Sequence, residues 1–197
     1  VDLTAEATAT DADGDTATNT ATVDLGDNIR FEDDEPSVVV NATNEAGVVL
    51  TTQDADTVGV ASDTASTTAD FSGVFTATPT YGADGAGSTN FTSYSLALAS
   101  GISDGDDSGL NSGGADVLIR EVGGVIEGYV GSDVIFSISV NGSGVVTLTQ
   151  NEVLDHVEGG ALDDFVALGS GLVDLTAEAT ATDADGDTAT NTATVDL

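Results

Sequence analysis

One stretch of 25 residues, VDLTAEATATDADGDTATNTATVDL, occurs twice without a single difference, at 1–25 and again at 173–197. Identity over that length indicates a recent tandem duplication. We therefore expect one full period of a longer array, preceded by the closing segment of the unit before it. A fragment cut so as to keep both junctions is the alternative. Both interpretations place this domain inside a larger multidomain protein.

The duplication predicts a division into three parts. Residues 1–25 are expected to be the C-terminal hairpin of the preceding repeat, 26–36 an acidic interdomain linker, and 37–197 a β-sandwich repeat module. Because the body of the preceding unit lies outside this sequence, the first hairpin should be loosely attached or should pair with another chain. It could also displace its twin, 173–197, in a swapped arrangement.

Apolar and polar residues alternate with a period of two within the repeat, as they do in half-buried strands. The second copy has a face of small apolar side chains made by every other residue: Val173, Leu175, Ala177, Ala179 and Ala181. The same alternation, with turns at Gly123-Gly124 and Asn141-Gly142, predicts a four-stranded antiparallel meander over 116–150.

Shorter alternating runs predict further strands at 37–42, 47–52, 69–77 and 92–99. A helical turn is expected at 151–156, and the stretches 82–90 and 103–114 are expected to be loop insertions because they are rich in Asp, Gly and Ser. About ten strands without a helix-period segment predict an all-β fold, an antiparallel β-sandwich of enlarged immunoglobulin-like or cadherin-like topology.

The charge balance excludes whole classes of partner. The chain has 35 acidic residues against two basic ones, Arg30 and Arg120, for a formal net charge of -33. Nucleic acid and anionic membranes are bound through clustered Lys and Arg, so neither is expected as a partner. A saline habitat, or the need to keep identical neighbouring domains from aggregating, would also explain an acidic surface.

Missing residue types and segments narrow the chemistry further. The chain has no cysteine, which excludes disulfides and thiolate sites. No apolar run approaches the about 20 residues of a membrane-spanning helix, and the first residues do not resemble a secretory signal. The sole histidine, His156, follows Asp155 without a nucleophile motif nearby. We expect no enzymatic activity, no small-molecule substrate and no membrane insertion.

The turn of each duplicated hairpin carries alternate aspartates, Asp11, Asp13 and Asp15 in the first copy and Asp183, Asp185 and Asp187 in the second. Carboxylates that converge in a tight turn repel one another unless a cation neutralises them. Calcium accepts 6 to 8 oxygens at about 2.3–2.6 Å in irregular geometry, whereas magnesium demands a strict octahedron. The spacing predicts a calcium turn on a β-hairpin, with a merely solvated acidic turn as the alternative.

Two other acidic groups are further candidates for calcium ligands. The linker holds Asp27, Glu32, Asp33 and Asp34, which are expected to lie near the last hairpin turn and to share ions with it. Such sharing would stiffen the junction between repeats, and the alternative is a flexible linker with solvated charges. The loop that contains Asp104 and Asp106 is the weaker candidate, since an ordinary polar loop explains it somewhat better.

Several separated motifs resemble, in order, the repeat modules of giant repeats-in-toxin adhesins that bacterial type I secretion systems export. They are the Asp-Ala-Asp-Gly-Asp hairpin, the linker FEDDEP at 31–36, the stretch VIFSISVNGSGVVTLTQ at 134–150, and Leu-Asp-His at 154–156. The resemblance implies a secreted, calcium-stabilised β-sandwich on the bacterial cell surface, which extends a ligand-binding tip for surface attachment or biofilm formation.

Two functions follow as expectations. The first is a structural spacer whose partners are the neighbouring identical repeats in the same chain, and which folds and stiffens when it meets extracellular calcium. The second is a module that itself binds a glycan, a receptor or another copy of itself, for which Tyr81 and Tyr94 near the Asp104 loop are candidates.

Overall fold

The alternating sequence forms antiparallel strands along most of the chain. The computed structural model describes residues 1–43, 45–58, 65–156 and 164–197. The chain divides into two compact units, Val1–Asp34 and Glu35–Leu197. Its strands are β1 (Asp2–Thr10), β2 (Thr16–Asp24), β3 (Ser37–Ala42), β4 (Ala65–Asp70), β5 (Phe75–Thr80), β6 (Ala86–Leu98), β7 (Asp106–Ser112), β8 (Ala115–Val122), β9 (Val125–Val130), β10 (Asp133–Val140), β11 (Val145–Gln150), β12 (Val173–Asp183) and β13 (Thr188–Asp196).

The first unit is built on one hairpin. Strands β1 and β2 pair antiparallel from Asp2↔Asp24 to Thr10↔Thr16, and a short 3₁₀ turn, Gly26–Asn28, follows them. Every residue of both strands is exposed. The unit therefore buries little of the apolar face that its sequence provides.

The second unit contains a six-stranded antiparallel sheet in the order β4-β11-β10-β9-β8-β7. Strands β8 to β11 form the meander predicted for 116–150, which is confirmed. The predicted Gly123-Gly124 turn is also present, since both glycines have positive φ, at 61° and 83°. Two central residues of positive φ match the right-handed twist of the flanking strands.

Two smaller sheets, β13-β12-β6 and β3-β5, belong to the same unit. Strand β3 lies beside β13, where the side-chain Nδ2 of Asn191 donates to the carbonyl of Val38 at 3.0 Å. The side chains of Ala179 and Ala181 in β12 pack against those of Val38 and Val40 in β3. This contact joins the small sheets along one side of the core.

The core joins side chains of the large sheet to those of β6, β12 and β13. Ile119 and Ile126 from the large sheet and Val173 and Leu175 from β12 are fully buried in one cluster. Each such side chain contributes about 1.5–3 kcal/mol of transfer free energy. The all-β antiparallel sandwich predicted from the sequence is confirmed.

Three predicted elements were wrong. Residues 47–52 form no strand, and the predicted strand 69–77 is two strands separated by a 3₁₀ turn, Ser72–Val74. Here the backbone N–H of Ser72 donates to Asp70 Oδ1 at 2.9 Å, and the chain passes from β4 in the large sheet to β5 beside β3.

Residues 151–156 form no helical turn, because their backbone N–H groups bond to neighbouring segments, as in Asn151 N–H to Ile135 O at 2.7 Å.

Both predicted loop insertions are largely strand. Strand β6 begins at Ala86, inside 82–90, and β7 occupies Asp106–Ser112, inside 103–114. Strand β7 carries an irregularity between Asp107 and Leu110, where Gly109 has a φ of 78°. Glycine tolerates that backbone conformation, so a composition typical of loops is compatible with a bulged strand.

Candidate metal centre

The acidic turn of the second unit begins at Asp183, the last residue of β12. Oδ1 of Asp183 accepts hydrogen bonds from the backbone N–H groups of Gly186 at 3.0 Å and Asp187 at 2.8 Å. The backbone N–H of Asp183 donates to the carbonyl of Asp187 at 3.1 Å. Gly186 has a φ of 110°, a conformation that favours glycine. One carboxylate oxygen thus organises the whole turn.

The other oxygen of Asp183 is buried without a partner. Asp183 is only 3% exposed, and its Oδ2 has no hydrogen-bond partner among the described residues. Buried carboxylate oxygens are normally satisfied by donors or by a metal ion, because an uncompensated one carries its full desolvation cost. The arrangement therefore calls for a ligand that is positively charged.

Burial of Asp183 is caused by the first residues of β6. Asp183 pairs with Ala86, and the backbone N–H of Ala184 donates to the carbonyl of Gly85 at 3.1 Å. A Cβ atom at Gly87 would overlap the carbonyl oxygens of Thr182 and Asp183. The sequence did not predict this cover, because the composition of 82–90 is typical of a loop. The two glycines were the available signal, since glycine in a strand marks a close approach of backbones.

Three carboxylates converge at this turn. One carboxylate oxygen from each of Asp183, Asp185 and Asp187 lies within 4.8 Å of the other two. Two oxygens that bind one calcium ion at about 2.3–2.6 Å lie at most about 5 Å apart, so the donor set fits that ion. Hard carboxylate oxygens also match the ligand preference of calcium, with waters and backbone carbonyls available to complete the shell.

Electrostatics in the turn favour the charged carboxylate. Burial of Asp183 acts to raise its pKa. Hydrogen bonds with the Asp185 side chain and the backbone N–H groups of Gly186 and Asp187 lower the pKa by more than burial raises it. The pKa of Asp183 consequently lies below its ordinary value. The carboxylate is ready to bind a cation at neutral pH without first losing a proton.

The first copy of the turn has the same local fold. Asp11 Oδ1 accepts the backbone N–H of Asp15 at 2.9 Å, and one oxygen each of Asp11, Asp13 and Asp15 lies within 4.8 Å of the others. Hydrogen bonding to the Asp13 side chain and then to the Asp15 backbone lowers the pKa of Asp11. Asp11 is exposed, whereas Asp183 is buried. The two turns therefore share their local geometry but differ in the exposure of their first aspartate to solvent.

A family profile described as a domain of unknown function, DUF5801, matches residues 34–197. The chain belongs to the DUF5801 family. No curated protein and no solved structure matches it. Among the residues that the structure describes, no helical segment has the length and apolar character needed to cross a membrane. The matched range of the DUF5801 domain includes the turn at Asp183.

The predicted linker ligands precede strand β3 in the sequence. Asp27 is in the 3₁₀ turn that follows β2, and Glu32, Asp33 and Asp34 are exposed, with the backbone N–H of Asp34 donating to Asp33 Oδ1 at 2.9 Å. Among themselves these residues form no group of three converging carboxylates within the described unit Val1–Asp34. Their role as calcium ligands stays a prediction.

The carboxylates of the Asp104 loop bond to backbone groups. Asp104 Oδ1 accepts the N–H of Glu121 at 3.1 Å, and Asp106 Oδ2 accepts the N–H of Ser103 at 2.9 Å. Neither belongs to a converging group within the described part of the DUF5801 unit. Their observed contacts stabilise the entry into β7, and their proposed role as metal ligands stays a prediction.

Two further acidic residues, Asp54 and Asp155, hold loops of the DUF5801 domain in place. Asp54 accepts hydrogen bonds from Gln150 Nε2 and the backbone N–H of Leu154, and its Oδ2 lies 3.2 Å from His156 Nε2. Asp155 accepts the N–H groups of Gly113 at 3.1 Å and Gly114 at 2.7 Å. His156 follows Asp155 in the sequence, whereas in the structure its carboxylate partner is Asp54.

The tyrosines suggested as glycan contacts take part in packing. Tyr94 meets Phe75 edge-on, with ring centroids 6.0 Å apart, and lies 5.8 Å from the ring of Phe91. The hydroxyl of Tyr81 is 2.7 Å from Thr89 Oγ1. Both tyrosines therefore have contacts within the DUF5801 sandwich, and their role as glycan contacts stays a prediction.

Proposed function

We propose that this DUF5801 domain is a calcium-stabilised spacer repeat of a large, secreted bacterial surface adhesin. The observation that carries the proposal is the buried Oδ2 of Asp183, which has no partner among the described residues and lies next to the carboxylates of Asp185 and Asp187. A divalent cation at this point neutralises three carboxylates and satisfies the buried oxygen. The resemblance to repeats-in-toxin adhesin modules supports the cellular setting.

The proposed role couples folding to location. Extracellular calcium modules have dissociation constants of about 10⁻⁴–10⁻³ M, so cytosolic calcium leaves such a site empty and the chain ready for export. Outside the cell, a site at tenfold saturation contributes RT ln 11, about 1.4 kcal/mol. That is a substantial share of the roughly 5–15 kcal/mol by which a domain is stable.

The repeat arrangement supports a mechanical role. Identical 25-residue segments at 1–25 and 173–197 are consistent with an array in which neighbouring repeats are the partners. With a net charge of -33, such an array repels itself along its length, and bound calcium at the turns reduces that repulsion. The proposed result is an extended, stiff stalk that carries an adhesive tip away from the cell.

Thermal unfolding in calcium, magnesium and chelator tests the metal part of the proposal. We expect the midpoint to rise in millimolar calcium, to rise less in magnesium at the same ionic strength, and to fall back in chelator. Sodium chloride at matched ionic strength separates specific binding from general screening of the acidic surface. A midpoint that responds equally to all three salts would refute a calcium site.

Small-angle scattering from two consecutive repeats tests the spacer part. We expect the maximum dimension to increase, and the spread of conformations to narrow, when calcium replaces chelator. If calcium raises the unfolding midpoint but leaves the scattering unchanged, the metal site stands and the stiffening role fails. Antibody labelling of intact cells that make the parent protein tests the surface location independently.

A further inference from the structure

The two copies of the 25-residue segment form the same hairpin in different surroundings. Leu175 in β12 is 0% exposed and Val195 in β13 is 8% exposed, whereas their counterparts Leu3 and Val23 are 55% and 56% exposed. Both hairpins have the same pairing register, residue for residue. The first copy therefore presents to solvent an apolar face that the second copy buries.

The outer edges of the two hairpins differ as well. Strand β12 pairs on its second edge with β6, from Val173↔Leu98 to Asp183↔Ala86. Among the described residues, β1 and β2 make up a two-stranded sheet of their own. Such hairpins are marginally stable in water, and an unpaired edge is a template for another strand. Within the described part of the chain, the first hairpin thus has neither a covered face nor a third strand.

We infer that residues 1–25 are a closing hairpin that completes the sandwich of a second copy of this chain when that copy's own β12–β13 hairpin is displaced. In that complex β1 takes the place of β12 beside β6 of the other copy, and β2 takes the place of β13 beside its β3. The inference rests on sequence identity and burial. It holds whether or not the turn binds calcium, so its failure and that of the proposed function are distinguishable.

Every contact of the native hairpin is available to the substitute, because the two sequences are identical. Ala9 replaces Ala181 against Val38 of the other copy, and Asn19 replaces Asn191 as donor to the Val38 carbonyl. The inward residues of β12 include three alanines, Ala177, Ala179 and Ala181, which are 0% exposed. A partner of unrelated sequence would have to fit the narrow groove that such a strand leaves. This fit favours a second copy over any other occupant.

The geometry also predicts when complementation occurs. A chain's own β12–β13 hairpin is tethered to its sandwich and therefore acts at a high effective concentration. The substitute competes only when that hairpin is weakened. Each chain then donates one hairpin and accepts another, which is a head-to-tail contact that generates open oligomers rather than closed dimers.

Disulfide trapping in the full chain tests the register, since the protein has no cysteine of its own. Ser95 in β6 pairs with Thr176, whose counterpart is Thr4. We place Ser95→Cys and Thr4→Cys in a chain weakened by Leu175→Asp, and oxidise it with glutathione disulfide. We expect intermolecular cross-links that form a ladder on a non-reducing gel. The control pair Thr4→Cys with Ser88→Cys is out of register and should not cross-link.

A second comparison guards against simple unfolding of the weakened chain. Leu175→Asp with an intact first hairpin should sediment as concentration-dependent oligomers that retain strand circular dichroism. Adding Leu3→Asp should abolish these oligomers, whereas adding Thr20→Asp should not, because its counterpart Thr192 is exposed in the intact sandwich. Identical behaviour of the Leu3→Asp and Thr20→Asp chains, or equal cross-linking by both cysteine pairs, would overturn the inference.

Discussion

Gly87 lies so close to the backbone carbonyl of Asp183 that no Cβ atom fits between them. The contact brings the start of β6 over the acidic turn and excludes solvent from the Asp183 side chain. A glycine in a stretch of loop-like composition is thus responsible for the environment of the candidate calcium ligand. Replacing Gly87 tests how far the candidate calcium site depends on the start of β6 lying over the acidic turn.

Gly87→Ala should destabilise the sandwich by about 1–3 kcal/mol, because the added methyl group overlaps backbone atoms that cannot rotate away. It should also weaken calcium binding, since Asp183 is pushed out of its cover. Gly142→Ala is the matched control, because a Cβ there meets nothing within 4 Å and its φ is not positive. Chemical denaturation with and without calcium measures both effects. Equal unfolding curves for the two variants would contradict the argument.

Asp183→Asn should separate the two states of the site. In chelator the variant should be slightly less stable than the wild type, because the hydrogen bonds that lower the pKa of Asp183 stabilise a carboxylate more than a neutral amide. In saturating calcium it should lose the metal's contribution, which corresponds to about 3–6 °C in the unfolding midpoint. Differential scanning calorimetry in both conditions gives the comparison.

The identical turn in the first unit supplies the control for that variant. Asp11→Asn changes the same residue of the same sequence, but Asp11 is exposed. It should leave the calcium-dependent midpoint of the sandwich unchanged. If Asp11→Asn removes as much of the midpoint shift as Asp183→Asn, burial of Asp183 is not what makes the second site different.

Gly128→Ala should be among the most damaging single changes in the large sheet. Gly128 in β9 is directly opposite Phe136 in β10, and a Cβ at Gly128 would lie only 2.0–2.5 Å from three atoms of the aromatic ring. Both residues are buried, so the ring has little freedom to move away. We expect a loss of about 1–3 kcal/mol in the free energy of unfolding.

Phe136→Leu provides the double-mutant test of that contact. The smaller side chain removes the overlap, so Gly128→Ala should cost less in the Phe136→Leu background than in the wild type. Urea denaturation of the four proteins measures the coupling. A coupling energy of zero would show that the ring is not what excludes a methyl group at position 128.

Asp70 should contribute to stability in a pH-dependent way. Hydrogen bonds from the Ser72 hydroxyl and then the Ser72 backbone N–H lower the pKa of Asp70 below its ordinary 3.8. A depressed pKa means that the stabilisation is present above about pH 4 and is lost as the pH falls through the folded-state value. The midpoint difference between wild type and Asp70→Asn should therefore shrink in acid, and a constant difference from pH 2 to 7 would contradict this.

The same variant has a spectroscopic readout at alkaline pH. Burial, and secondly the charge of Asp70, raise the pKa of Tyr94 above its ordinary 10.0. Removing that charge should lower the pKa of Tyr94 toward its ordinary value. Ultraviolet titration of tyrosinate in Asp70→Asn, with Tyr94→Phe to assign the signal, measures the change.

Local patterns explain which parts of the fold could be predicted. The meander was correct because period-two alternation and the paired glycines Gly123 and Gly124 depend on few residues. The strand predicted over 69–77 was wrong because its apolar run continues through a corner made by Asp70 and Ser72. The start of β6 was missed because Asp, Gly and Ser do not reveal that a neighbouring strand covers them.

The sequence by itself determined the two hairpins, their common register and the convergence of three aspartates in each turn, because these follow from neighbours along the chain. Only the tertiary structure decided that Asp183 is buried with an unsatisfied oxygen whereas Asp11 faces solvent. Identical residues cannot encode that difference. Burial depends on whether β6 and β3 lie alongside, and those strands are distant in sequence from the residues that they cover.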